Sequence, residues 1–185
     1  EKQLIIEMIK LDEKDGSLNA LGNIIDSFYG KSYFLDHCYI ELKDEHDVSI
    51  QIRKEALKQN DPGWVRRVYK DISKMLLTVV ALFQYLDSQK LAYFVGNLNC
   101  PSLGEVCDDT DAYTKGELID DDLKPLIYRY AQKQIFISET LRVLVANGFK
   151  TDEELRHAAE IESMGKQLIF TRIALLLSIV GLVIP

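Results

Sequence analysis

The sequence predicts a mainly α chain of the α+β kind. It has a helical domain with short antiparallel strand pairs over residues 1–150, then a long C-terminal helix over 151–185 that enters a membrane. Three observations carry this reading. Apolar residues recur at spacings of three and four through most of the chain, the period of helices with one buried stripe. Shorter stretches near 39–53, 91–95 and 134–137 alternate or run apolar for only a few residues, as strands do. From Ile173 to Ile184 there is no charge, only one Ser and one Gly among aliphatics.

Leu4, Ile5, Met8, Ile9 and Leu11 place a helix over 2–13, broken at Asp15-Gly16. Ser17 is suited to cap the next helix, whose stripe is Leu18, Leu21, Ile24, Ile25 and Phe28 and whose end is Gly30. Tyr39–Lys43 and Val48–Arg53 then alternate around Asp44-Glu-His-Asp47, a β-hairpin, although a helix could also begin between Ile50 and Leu57. Asp61-Pro62 opens the longest element, because Asp is a favoured N-cap and Pro a favoured first helical residue. From Trp64 to Leu86 the apolar positions hold helical spacing, giving a central helix over about 62–88. Leu91–Val95 reads as a strand, 96–118 as a long loop, and Asp120–Tyr130 as a helix. Gln134–Ile137 reads as the partner of 91–95. Ser138 caps a helix closed by a left-handed Asn147-Gly148 turn. Thr151 with Glu154 forms a capping box for the last helix.

That last helix is read as a stalk that becomes a transmembrane segment at about 168. Leu168 to Pro185 supplies 18 residues, near the roughly 20 that a bilayer requires. The membrane residues are Arg172, snorkelling to the headgroups, and Leu175, Leu176, Leu177, Ile179, Val180, Leu182, Val183 and Ile184. The chain is expected to continue past Pro185. Arg156, Lys166 and Arg172 precede the span, so the positive-inside rule places the N-terminal domain in the cytoplasm and the protein at the cell (inner) membrane. Gly181 and Ser178 offer a small-residue contact face for oligomers, conceivably a pore.

A chain of 185 residues with 47% hydrophobic and 28% charged content suits one ordinary folded domain plus this tail. The charged opening Glu-Lys-Gln is unlike a signal peptide. Cys38, Cys100 and Cys107 are odd in number and lack metal spacing, which points to free thiols in a reducing compartment. The net charge is −7, and the segment from Glu105 to Asp122, with eight acids and Lys115, holds all of it. Nucleic-acid binding elsewhere on the chain therefore remains open.

Arg66, Lys70 and Lys74, with Arg67 adjacent, form a basic stripe on the exposed side of the central helix, able to contact nucleic-acid phosphates or anionic lipid. A solvated helix face, with Asp71 inside it, is the plain alternative. Asp108, Asp109 and Asp111 are a weak candidate for a divalent cation, because the Gly of a calcium loop is missing. No cofactor is implied. His37, His46 and His157 are far apart, and Asp36-His37-Cys38 would point neighbouring side chains to opposite faces of a strand. No nucleophile elbow, phosphate loop or dinucleotide fingerprint is present, so no catalytic residue is assigned. Of nine tyrosines, Tyr29, Tyr33, Tyr39, Tyr128 and Tyr130 fall outside the apolar stripes and suit an interaction surface or a core rim.

Helices followed by a strand–loop–strand resemble the build of a winged-helix domain. The expected function is a non-enzymatic sensor, adaptor or effector, anchored in the membrane and binding a protein partner or further copies of itself. The alternative is a winged-helix-like nucleic-acid-binding regulator that uses the basic stripe.

Overall fold

The computed structural model describes residues 1–16, 20–29, 37–104, 112–118 and 120–183, with backbone alone for Pro62, Asp152 and 172–183. The chain divides into two compact units, Glu1–Arg142 and Val143–Pro185.

The first unit opens with α1 (Lys2–Lys14) and α2 (Leu21–Tyr29), which pack on each other through Leu4, Ile5, Met8 and Ile9 and through Leu21, Ile24 and Ile25. Phe28, expected in the buried stripe, instead lies at the rim, 37% exposed. The hairpin forms as predicted: β1 (Cys38–Leu42) and β2 (Val48–Arg53) are antiparallel. Their turn is fixed by Asp44, whose carboxylate accepts from the backbone N–H groups of His46 (2.7 Å) and Asp47 (2.8 Å). A one-and-a-half-turn helix, α3 (Lys54–Gln59), follows β2 directly.

The central helix α4 spans Pro62–Ser88. Its stripe of Val68, Ile72, Leu76, Val79, Val80, Phe83 and Leu86 is buried. Burial of such side chains stabilises by about 1.5–3 kcal/mol each. Phe83 meets Phe94 and Tyr130 at ring-centroid distances of 5.1 and 5.6 Å, which ties α4 to β3 (Ala92–Val95) and α5 (Leu123–Ala131). The helix ends in a Schellman turn: Lys90 N–H donates to the Asp87 carbonyl and Leu91 N–H to the Leu86 carbonyl, with Lys90 at φ 54°.

Residues 96–118 are not one loop. They hold β4 (Ser102–Leu103) and β5 (Tyr113–Glu117), which flank the hairpin in a four-stranded antiparallel sheet of order β4-β1-β2-β5. One face carries Ile40, Ile50, Leu103 and Gly116 in register; the other carries Glu41, Ser49, Ser102 and Glu117. This sheet overturns the winged-helix-like expectation. A wing is a hairpin left free to stand out, whereas here both hairpin edges are paired and its apolar face is buried. The second sheet is the expected one: β3 pairs antiparallel with β6 (Gln134–Ile137), and Ala92 and Ile135 face inward. Gln132 clamps the approach to β4, since its side chain accepts from Cys100 N–H (3.0 Å) and donates to Cys100 O (2.7 Å). The start of α6 (Glu139–Ala146) is held by Arg142, which pairs with Asp12 and Glu13 of α1.

In the second unit, the turn after α6 is a Schellman motif built on Gly148 (φ 67°), with Gly148 N–H donating to the Val145 carbonyl and Phe149 N–H to the Leu144 carbonyl. The capping box forms as predicted. Thr151 N–H donates to the Glu154 carboxylate (2.8 Å) and Glu154 N–H donates to Thr151 Oγ1 (3.2 Å). It starts α7 (Asp152–Val183).

The membrane expectation is corrected. Among the described residues no helix is long and apolar enough to cross a membrane. The first half of α7 is charged, and the apolar run begins only at Leu168. Arg172 lies inside that run and shortens it further. Leu175, Leu176, Leu177, Ile179, Val180, Leu182 and Val183 therefore belong to a helix that falls short of a span, and Ile184 lies outside the described residues.

Candidate binding cleft along the central helix

The first turn of α4 is set by Asp61. Its carboxylate accepts from Trp64 N–H (3.0 Å) and from Arg67 Nη2 (3.2 Å), so one side chain caps the helix and pins a cation. These bonds, the Arg67 one foremost, hold the Asp61 carboxyl below its ordinary range. Gly63 makes the arrangement possible, because a Cβ there would sit 2.7 Å from Asp61 Oδ1 and 3.3 Å from Arg67 Nη1.

With Arg67 committed to Asp61, the rest of the predicted stripe is open. Among the described residues Arg66, Lys70 and Lys74 have no ion-pair partner, and all three are exposed. Each follows the last by four residues, a rise of about 6 Å. Arg66, Arg67 and Lys70 border a cleft of about 820 Å³, together with Gly63, Val65 and Tyr69 on α4 and Glu117 on β5. Lys74 lies one turn beyond the lining.

Tyr69 joins helix and sheet at the cleft. Its ring lies over Gly116, at the place where any β-carbon of that residue would project. Burial raises the Tyr69 phenol's pKa, with Cys38 nearby adding to the effect, so the hydroxyl stays a protonated donor. Gly116 therefore gives the ring its seat, while the next residue on β5, Glu117, borders the cleft with its side chain on the other face of the sheet. On the same strand Lys115 bonds to Asp47 (2.7 Å), which raises its pKa, with Glu41 and Glu117 contributing.

The arrangement is suited to binding. Two cations without an ion-pair partner among the described residues and a half-buried tyrosine can hold a ligand with an anionic end, and among the described residues of the cleft no nucleophile stands beside a base. Cys38 is buried, and loss of water around it pushes its thiol up to about 12, against the opposing charge of Arg53. It is a core residue. Asp36 and Cys107 lie outside the described residues, as do the three candidate metal ligands Asp108, Asp109 and Asp111. Among the described residues no three His, Cys, Asp or Glu side chains come together to hold a metal.

Periodicity missed Tyr69 as a site residue, because its spacing also fits the buried stripe. Glu117 was absorbed in the acidic run. One signal pointed to both: a lone glycine inside a short polar strand marks close approach by another element. Of the tyrosines outside the apolar stripes, Tyr39 and Tyr130 are core residues at 7% and 2% exposure. Compared with protein-family models, curated proteins and solved structures, the chain finds no match in any of the three.

Proposed function

We propose that this chain is a non-enzymatic sensor or adaptor whose first unit recognises an anionic partner in the cleft beside α4. The observation that carries the reading is Arg66 and Lys70, without ion-pair partners among the described residues, on the rim of a formed cleft where the described residues show no catalytic constellation. Cations without internal partners keep their Coulomb energy for a ligand, whereas Arg67, bound to Asp61, does not. The thiol of Cys100 fits work in a reducing compartment.

The second unit supports the adaptor side of the reading. Ile161, Met164, Leu168, Ile169 and Phe170 of α7 are 54–70% exposed. Apolar side chains exposed in this number on one helix are unfavourable in water, and a partner helix, here a second copy, would cover them. Light scattering over a concentration series tests this, and a strictly monomeric chain at high concentration would refute it.

A second reading has one observation in its favour: cations in register every four residues suit a nucleic-acid backbone. Lys74 extends the stripe past the cleft, which a cleft ligand does not require. Fluorescence anisotropy with a labelled duplex DNA, a single-stranded RNA and an acidic peptide separates the two readings. Nucleic-acid binding that falls steeply between 50 and 200 mM salt and depends on Lys74 favours the second. Binding of none of these, nor of any small anion, would remove the cleft as a recognition site.

A further inference from the structure

We propose that the α4 cleft takes a small phosphate ester of mononucleotide size, with its phosphate between Arg66 and Lys70 and its body against Val65 and the Tyr69 ring. This rests on the reading of the cleft as a recognition site and adds the chemistry of the occupant.

Three observations narrow the ligand. The first is size. At about 820 Å³ the space falls within the range of small-molecule sites, about 300–1,000 Å³. Its helical wall runs only from Gly63 to Lys70, about 10 Å of rise, too short for an extended acidic peptide to lie along. The second is the pattern of charge. Arg66 and Lys70 are the lining cations without an ion-pair partner among the described residues, and one turn apart they suit a single phosphate group. The third is the surface between the charges. Val65 and the Tyr69 ring, held in place over Gly116, give the ligand's body apolar and aromatic contact.

The two cations divide the recognition. Arg66 offers a planar fork that grips a phosphate through two bonds, and Lys70, one turn on, adds a compact charge. Arg67 stays with Asp61 and holds the helix start. Lys74 lies beyond the lining and is the natural control.

Trp64, the only tryptophan, is beside the Gly63 and Val65 lining and reports occupancy by its fluorescence. The experiment titrates the full chain with the four nucleoside 5′-monophosphates, the matching nucleosides, inorganic phosphate and a decaglutamate peptide, with calorimetry as a second readout. Variants are Arg66→Ala, Lys70→Ala and Lys74→Ala, each checked for native circular dichroism. The expected result is saturable binding of at least one monophosphate. That binding weakens tenfold or more in Arg66→Ala and Lys70→Ala, and is unchanged in Lys74→Ala. The nucleosides and inorganic phosphate bind at least tenfold more weakly. If decaglutamate binds through Arg66 and Lys70 while no monophosphate does, the ligand assignment is overturned and the recognition site stands. Inorganic phosphate binding as tightly as the esters would also overturn it, since the body then makes no contact. If no probe binds, both readings fall.

Discussion

Replacing Gly116 with alanine tests the join between sheet and helix at the cleft. The added β-carbon would overlap the Tyr69 hydroxyl and approach its ring carbon Cε1 to 2.5 Å, well inside van der Waals contact. Gly116 is not among the residues at positive φ, so the backbone accepts alanine and the conflict lies wholly with the ring. Overpacking of this kind costs about 1–3 kcal/mol. Against it stands the gain from removing a strand glycine, about 0.5–1 kcal/mol. The expected net loss is therefore about 1–2 kcal/mol, read as a lower urea midpoint with unchanged slope. In a Tyr69→Ala background the same substitution meets no ring and should stabilise by about 0.5–1 kcal/mol. The double-mutant cycle then gives a coupling of about 1–3 kcal/mol between residues 47 apart in sequence. An equal cost of Gly116→Ala in both backgrounds would refute the packing of Tyr69 on Gly116, and with it the floor of the cleft.

Other substitutions test the frame around it. Ser73 Oγ is buried on α4 with no hydrogen-bond partner among the described residues, so Ser73→Ala should raise stability by about 1 kcal/mol in urea titration. Lys90→Gly, at a left-handed helix end, should add about 0.5–1 kcal/mol, and a loss would mean that the Schellman turn does not form. Phe83→Ala should cost about 3–5 kcal/mol by opening a cavity among Phe94 and Tyr130, enough to lower Tm by roughly 6–20 °C in a calorimetric scan. The Cys38 thiol has its folded pKa raised above the unfolded value, so its contribution to stability is full below about pH 9 and is lost as pH rises toward 12. Stability measured from pH 8 to 11 in wild type and Cys38→Ala should show a steeper decline in wild type.

Much of the frame was legible because it is locally encoded. Asp61-Pro62 is enough to start α4, and Asn147-Gly148 followed by Thr151 with Glu154 marks a helix end and the next beginning within a few residues. The β3–β6 pair was readable because both strands are short apolar runs of matching length. β5 was not, for a physical reason. Tyr113-Thr-Lys-Gly-Glu117 shows no apolar alternation, because the core-facing position beside Ile50 is a glycine whose missing side chain is supplied by Tyr69 from α4. The information for that strand is divided between two elements. The same division hid the cleft, whose lining joins helix residues 63–70 to Glu117. Apolar composition at the C-terminus led the other way: it was read as a span, yet a helix crosses a bilayer by length as well as by hydrophobicity.

The pairing of β2 with β5 has a consequence for the order of assembly. Arg53 lies opposite Tyr113, so this edge of the sheet closes only after 60 residues, including all of α4, have been made. The β1–β2 hairpin, by contrast, closes across five residues and forms early. Until β5 arrives, Val48-Ser-Ile-Gln-Ile-Arg53 presents a bare, alternating edge, the kind of surface on which chains join one another. The interval between synthesis of residue 53 and docking of residue 113 is thus the period in which this protein is most exposed to aggregation, and α4, by seating Tyr69 where β5 must land, brings that period to a close.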